Sequence, residues 1–131
     1  MDKSVLPCLA AGNVFTKGTQ ASNFDTDALF KPDYDVGVKL DQKADGWYLE
    51  LSEDKAWRDE VKRKLVTTEL LGKASVPDLS FENADGSPLR VNTDYFGNKR
   101  TDANPFPGPF EKIADGKQQI KVWPGPLQIR P

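Results

Sequence analysis

The sequence predicts a mainly β domain with one short α-helix, forming either the end of a β-solenoid or a small β-sheet packed by that helix. Three observations carry this. Ten prolines and ten glycines in 131 residues interrupt the chain too often for long helices. Two neighbouring stretches, 36–41 and 45–54, alternate apolar and polar residues with the period of a half-buried strand. One stretch, 53–64, carries its apolar residues at helical spacing.

Each element follows from local chemistry. Val14 and Phe15 sit between Gly12 and Gly18, which predicts a short strand. Residues 23–35 mix Phe24, Leu29 and Phe30 with four Asp and Pro32, and read as a loop with apolar anchors. Val36, Val38 and Leu40 alternate against Gly37 and Lys39. Trp47, Leu49 and Leu51 alternate against Tyr48 and Glu50, so the two segments predict a hairpin joined at Asp45-Gly46. Ser52 is a candidate N-cap, with Glu53 and Asp54 in the first turn, where the helix dipole favours negative charge. Trp57, Val61 and Leu65 then form one stripe of a helix over 53–64, followed by a strand near 65–71 that Gly72 ends. Residues 73–90 read as an ordered loop anchored by Val76, Leu79, Phe81 and Leu89. Strands are predicted at 90–96 and 118–123, before a Pro-rich tail at 124–131.

Two echoes run through the chain. Val66–Gly72 and Val91–Gly97 share Val, Thr and Gly at a spacing of 25, close to one coil of a solenoid. Pro-Gly-Pro occurs at 107–109 and 124–126, each time flanked by apolar residues that could pin an extended segment to a surface.

The chain has the length of one domain, 1–131, able to bury roughly two thirds of its unfolded surface. Residues 1–60 carry 7 basic and 12 acidic groups, residues 61–131 carry 11 and 8. This asymmetry is too mild for a nucleic-acid footprint, and the lone basic run, Lys62-Arg63-Lys64, reads as a solvated helix face. No stretch approaches the ~20 apolar residues of a membrane span, and the N-terminal Val5–Gly12 lacks the basic flank of a signal peptide. Cys8 is the single cysteine and reads as a buried small hydrophobe. The chain has no histidine, which excludes Ser-His-Asp and Cys-His catalysis and His-ligated zinc.

Any chemistry must therefore use carboxylates, Lys, Arg or Tyr. Glycoside cleavage needs two carboxyl groups roughly 5 to 9.5 Å apart, and Glu50, Glu69 and Asp94 are the candidates. Asp94 also has the position of an Asx cap bonding its own turn. Sugar binding needs an exposed aromatic face flanked by groups that bond hydroxyls. Tyr48, Glu50, Tyr95, Asn98, Arg100 and Trp123 have suitable types, with Tyr48 the first choice, while Trp47 and Trp57 fall on apolar faces and are assigned to the core. Asp25, Asp27, Asp33 and Asp35 bring four carboxylates within eleven residues, which raises Ca²⁺ as a cofactor against a solvated acidic loop.

Gly12–Phe15, Asp27–Phe30 leading to Gly46–Leu49, Thr93–Arg100 and Pro107–Glu111, taken in order, resemble the C-terminal region of right-handed parallel β-helix carbohydrate-active proteins, polysaccharide lyases and glycoside hydrolases among them. Together they span about a third of the chain. The pattern departs from that family at Ala28 and Lys99, where it carries Pro, and its Ser-Pro-Ala stretch has no counterpart here. The resemblance implies a non-catalytic terminal region of an extracellular or periplasmic protein, structural or weakly glycan-binding, whose partners are a polysaccharide or the catalytic region of a parent enzyme. A carboxylate-based glycosidase and a protein-interaction module using the Pro-Gly-Pro segments are the alternatives.

Overall fold

The alternating segments form a three-stranded antiparallel sheet. In the computed structural model, which describes residues 9–124, the elements are β1 (Ala10–Ala11), β2 (Val14–Thr16), β3 (Asp25–Thr26), β4 (Leu29–Lys31), β5 (Lys39–Lys43), β6 (Gly46–Glu53), α1 (Trp57–Glu60), α2 (Thr68–Leu71) and β7 (Gly116–Trp123). Strands β5 and β6 make the expected hairpin, and β7 pairs with the other edge of β6. Gly46 is irreplaceable in that arrangement. Its φ is +146°, and a Cβ there would lie 2.0 Å from the Trp123 carbonyl oxygen.

The chain is mainly β, as predicted, with the short helices α1 and α2 where one helix was expected, and the acidic stretch read as a loop contributes strands of its own. β1 pairs with β3 and β2 with β4, both parallel, and in both the partner lies 15 positions further along: Ala10 with Asp25, Val14 with Leu29. At two or three residues these strands are too short to show a period in sequence. Phe15 and Phe30 stack across the β2–β4 pair, with ring centroids 5.5 Å apart.

Leu51, Phe106, Phe110 and Ile113 form the buried cluster, with Leu49, Phe96, Ile120 and Val122 packed against it. Both phenylalanines that flank Pro107-Gly108-Pro109 are in this core, each contributing roughly 1.5–3 kcal/mol by burial, so the stiff segment is pinned from both ends. Cys8 and most of the second Pro-Gly-Pro echo lie outside the described residues.

Three expectations are corrected. The helix predicted over 53–64 is a single turn, because residues up to Glu53 continue β6, and the turn ends where Val61 becomes extended. Asn104 Nδ2 donates to the Arg58 carbonyl, and Asn104 Oδ1 accepts from the Arg63 amide, at 2.6 and 2.8 Å. One side chain thus takes up the backbone groups that a longer helix would have paired. Trp57 and Leu65 are nevertheless buried as assigned. Second, 65–71 holds a helical turn rather than a strand, capped by the Thr67 hydroxyl accepting from Leu70 N and closed by Gly72 at φ +69°. Third, 90–96 is no continuous strand. Thr93 makes an isolated bridge to Lys99 around a turn, and Thr67 pairs antiparallel with Arg90. The two echoing segments therefore meet side by side through the Val91 N–H to Val66 carbonyl bond of 2.9 Å, and they do not stack as successive parallel coils.

Candidate functional site

Six side chains predicted to bind glycan fall in three separate places. Tyr48 and Glu50 lie on the polar face of β6. Lys43 Nζ sits 4.2 Å from the centroid of the Tyr48 ring, and the Tyr48 hydroxyl donates to Asp45 Oδ2 at 2.9 Å. The Asp45 hydrogen bond raises the phenol pKa, with burial adding to it. Glu50 accepts from Lys117 Nζ at 2.7 Å. Tyr48 is thus half-buried and covered on its ring face, rather than the open platform anticipated.

Asn98 and Arg100 belong to a clamp that joins the turn at 94–98 to the Pro-Gly-Pro segment. Asp94, only 5% exposed, accepts hydrogen bonds from the backbone N–H groups of Phe96, Asn98 and Glu111 and from Asn98 Nδ2, at 2.8 to 3.2 Å. Burial alone would raise its pKa, but the Glu111, Asn98 and Phe96 hydrogen bonds outweigh that and hold the carboxyl below its usual range. Glu111, also buried, accepts from Arg58 Nη2 at 2.7 Å, from the Thr101 amide and hydroxyl, and from the Phe106 amide. Arg100 donates to the carbonyls of Thr93, Phe106 and Gly108. The Tyr95 amide donates to the Pro109 carbonyl at 2.9 Å. With each of these groups engaged in closing the fold, the clamp of Asp94, Asn98, Arg100 and Glu111 is structural, and Asp94 acts as the Asx cap its position allowed.

Tyr95 and Trp123 meet elsewhere. With Leu40, Trp47, Leu49, Pro109, Phe110 and Val122 they line an open groove of about 500 Å³. The Tyr95 hydroxyl donates to the Val122 carbonyl at 2.5 Å and its ring meets Phe96 and Phe110 edge-on, which fixes its plane. Trp123 is 64% exposed and Tyr95 44%, an unusual outlay of aromatic surface beside a well-packed core. Trp47, assigned to the core, lines the groove and is half-buried.

Of the four aspartates considered for Ca²⁺, Asp25 and Asp35 are each engaged by different partners. Asp25 accepts from Asn13 Nδ2, Ser22 N and Ser22 Oγ, and Ser22 first and Asn13 second hold its pKa low. Asp35 pairs with Lys17 and caps the Gly37 amide. Among the described residues no three such groups converge in the manner of a metal site.

The strongest electrostatic anomaly was absent from every motif. Glu53, at the end of β6, lines a cavity of about 440 Å³ together with Val14, Val36, Trp57, Arg63 and Phe106. Its Oε2 is buried with no hydrogen-bond partner among the described residues, and burial pushes the carboxyl up to about 7. A signal for it exists in the sequence: Trp47, Leu49 and Leu51 occupy one face of β6, and the same alternation continues to Glu53. Reading Ser52 as a helix cap ended the strand one residue too early to see this. Arg63 is also buried, so the basic run 62–64 is no solvated helix face. Its Nε donates to the Gly12 carbonyl at 2.7 Å, and Gly12 leaves no room for a Cβ, which would fall 2.7 Å from Arg63 Cγ. Burial lowers the Arg63 pKa, against the opposing pull of Glu60.

No family model and no curated protein match the chain. The fold is similar to the solved structure of XylC in complex with xylose, with a TM-score of 0.75 and 26% identity, over 86% of this chain and 17% of that one. The chain thus spans about a sixth of the XylC length.

Proposed function

We propose that this chain is the terminal, non-catalytic β region of a larger secreted carbohydrate-active protein, one that completes that protein's fold and contacts glycan through the groove of Tyr95, Trp47 and Trp123. The similarity to XylC in complex with xylose carries the carbohydrate part of this reading. The parallel pairing of residues 10–16 with 25–31, 15 positions on, supports placing this region at the end of a β-solenoid, where successive coils pair in parallel. The groove adds chemistry: exposed aromatic faces offer the apolar side of a sugar ring a large, rigid surface.

The test is affinity electrophoresis and calorimetry of the full chain with xylan and xylo-oligosaccharides. Retention should fall roughly five- to tenfold in Trp123→Ala, while Tyr48→Ala leaves it unchanged. Absence of retention on any polysaccharide, or retention indifferent to Trp123, contradicts the binding role. Release of reducing sugar by the isolated chain contradicts the non-catalytic one.

A carboxylate glycosidase gains one supporting observation, the raised pKa of Glu53, which suits a general acid. The second carboxyl is missing: Glu53 is the one carboxylate among the described residues that line its cavity. Of the three candidates Glu50, Glu69 and Asp94, Glu50 is ion-paired and Asp94 hydrogen-bonded at separate places, and none of the three lines the Glu53 cavity.

A further inference from the structure

Strand β5 lies at an outer edge of the three-stranded sheet, where among the described residues no strand pairs with its far side. Its register on β6 decides which groups that side carries. Lys43 and Gly46 close the tight turn at 44–45, and the bonding alternates from there. Lys43, Asp41 and Lys39 therefore bond to β6, while the N–H and C=O groups of Gln42 and Leu40 point away from it. Unpaired edge groups of this kind are a template for another strand.

The same edge is apolar on one face. Leu40 is 55% exposed, and Val38, two positions earlier, is 69% exposed. Leu40 stands opposite Leu49 and lines the aromatic groove. Lys39 and Asp41 take the other face, where they form an ion pair of 2.9 Å within the strand.

We propose that β5 pairs antiparallel with β5 of a second copy of this chain, about a two-fold axis at Leu40. Outward-pointing groups must meet outward-pointing groups, so the axis passes through a residue and not between two. An axis at Lys39, Asp41 or Lys43 sets like charges directly opposite each other, which is destabilising. One at Gln42 runs the partner strand into the turn at 44–45. The axis at Leu40 places Lys39 of each copy opposite Asp41 of the other, twice over, and sets the two Leu40 side chains together. Charges on an edge strand ordinarily discourage pairing, and here their alternating sign admits one register. The sheet then runs on through both copies, and the two grooves meet at the paired Leu40 residues, which covers apolar surface that each copy alone leaves open. A strand of 5 residues makes a small contact, so the dimer is weak, with a dissociation constant of about 10–500 µM. The pairing does not depend on the carbohydrate reading, and a monomeric chain that is retained on xylan would leave that reading standing.

The experiment is sedimentation equilibrium of the full chain up to about 1 mM, with isotope-filtered NOEs in a mixture of labelled and unlabelled protein. The mean mass should rise toward that of a dimer, with intermolecular NOEs at Leu40. Lys39→Asp and Asp41→Lys each set like charges across the axis, and each should weaken association by roughly tenfold or more. The two variants mixed in equal amounts carry opposite charge on β5 and should associate again. The Leu40 NOEs of the parent chain read the same contact without any substitution. A chain that stays monomeric throughout, association that neither variant weakens, a mixture that fails to recover, or intermolecular NOEs confined to another surface overturns the proposal.

Discussion

Two polar regions of this molecule look alike in composition and differ in satisfaction. Between Thr93 and Glu111, the buried carboxylates Asp94 and Glu111 each collect several hydrogen bonds, from backbone amides, Asn98, Thr101 and Arg58. Between Glu53 and Arg63, the chain buries Glu53 Oε2, Arg58 Nε and Arg63 Nη2 with no partner among the described residues. The first region is what a fold does with charge when it needs a rigid closure. In the second, polar groups are held in cost, and such groups are where binding and proton exchange become available. The residues that look most like a signature are thus the structural ones.

This contrast can be broken by mutation. The largest effect is expected for Glu111→Ala, which strands Arg58 and the amides of Thr101 and Phe106 inside the fold. Unfolding in urea should show a loss of roughly 3–5 kcal/mol, and a variant within 1 kcal/mol of the parent, by the usual yield of a surface pair, would mean the clamp is ornamental.

Glu53→Gln should act in the opposite sense. The folded pKa of Glu53 is raised from 4.5 to about 7, so the folded state binds its proton more tightly than the unfolded state does. Stability therefore falls as pH rises between those two values and stays low above them, by up to about 3 kcal/mol. The glutamine variant should lose this slope and be the more stable protein at pH 8. Equal slopes in the two proteins across that window would show that Glu53 is solvated.

Asp94→Asn comes next, at roughly 1–3 kcal/mol, because the amide keeps the shape but disrupts the set of donors around it. Here the sign with pH is reversed. A carboxyl held below its usual 3.8 contributes stability that is complete above that value and disappears as pH falls through its lowered one, so acid should narrow the gap between parent and variant. Glu50→Gln is the smallest change, under about 1 kcal/mol, since its partner Lys117 is mostly exposed.

How much of this the sequence made legible depends on range. The β5–β6 hairpin was readable because alternation and an Asp-Gly turn are local properties, and β7 because its apolar residues follow the same rule. The one-turn α1 was not, because Asn104, more than forty positions away, captures the backbone of Arg58 and Arg63. Strand β2 was readable from the glycines on either side of it, whereas β1, β3 and β4 show no pattern of their own, because each is stabilised by a partner 15 positions away. For the site, residue type pointed to Tyr95 and Trp123 and equally to Asn98 and Arg100, and type alone does not show that the last two are spent on Asp94 and on the Phe106 and Gly108 carbonyls. Glu53 was hidden by a competing N-cap reading at Ser52, whose backbone N–H in fact donates to the Val36 carbonyl within the sheet region.

The central claim is that the chemically available carboxyl is Glu53 and that Asp94 is locked. Carboxyl-carbon NMR of the full chain, followed from pH 2 to pH 9, reads both directly. Glu53 should titrate near 7 and Asp94 below 3.8; a Glu53 midpoint near 4.5 together with an Asp94 midpoint above 3.8 would contradict the account.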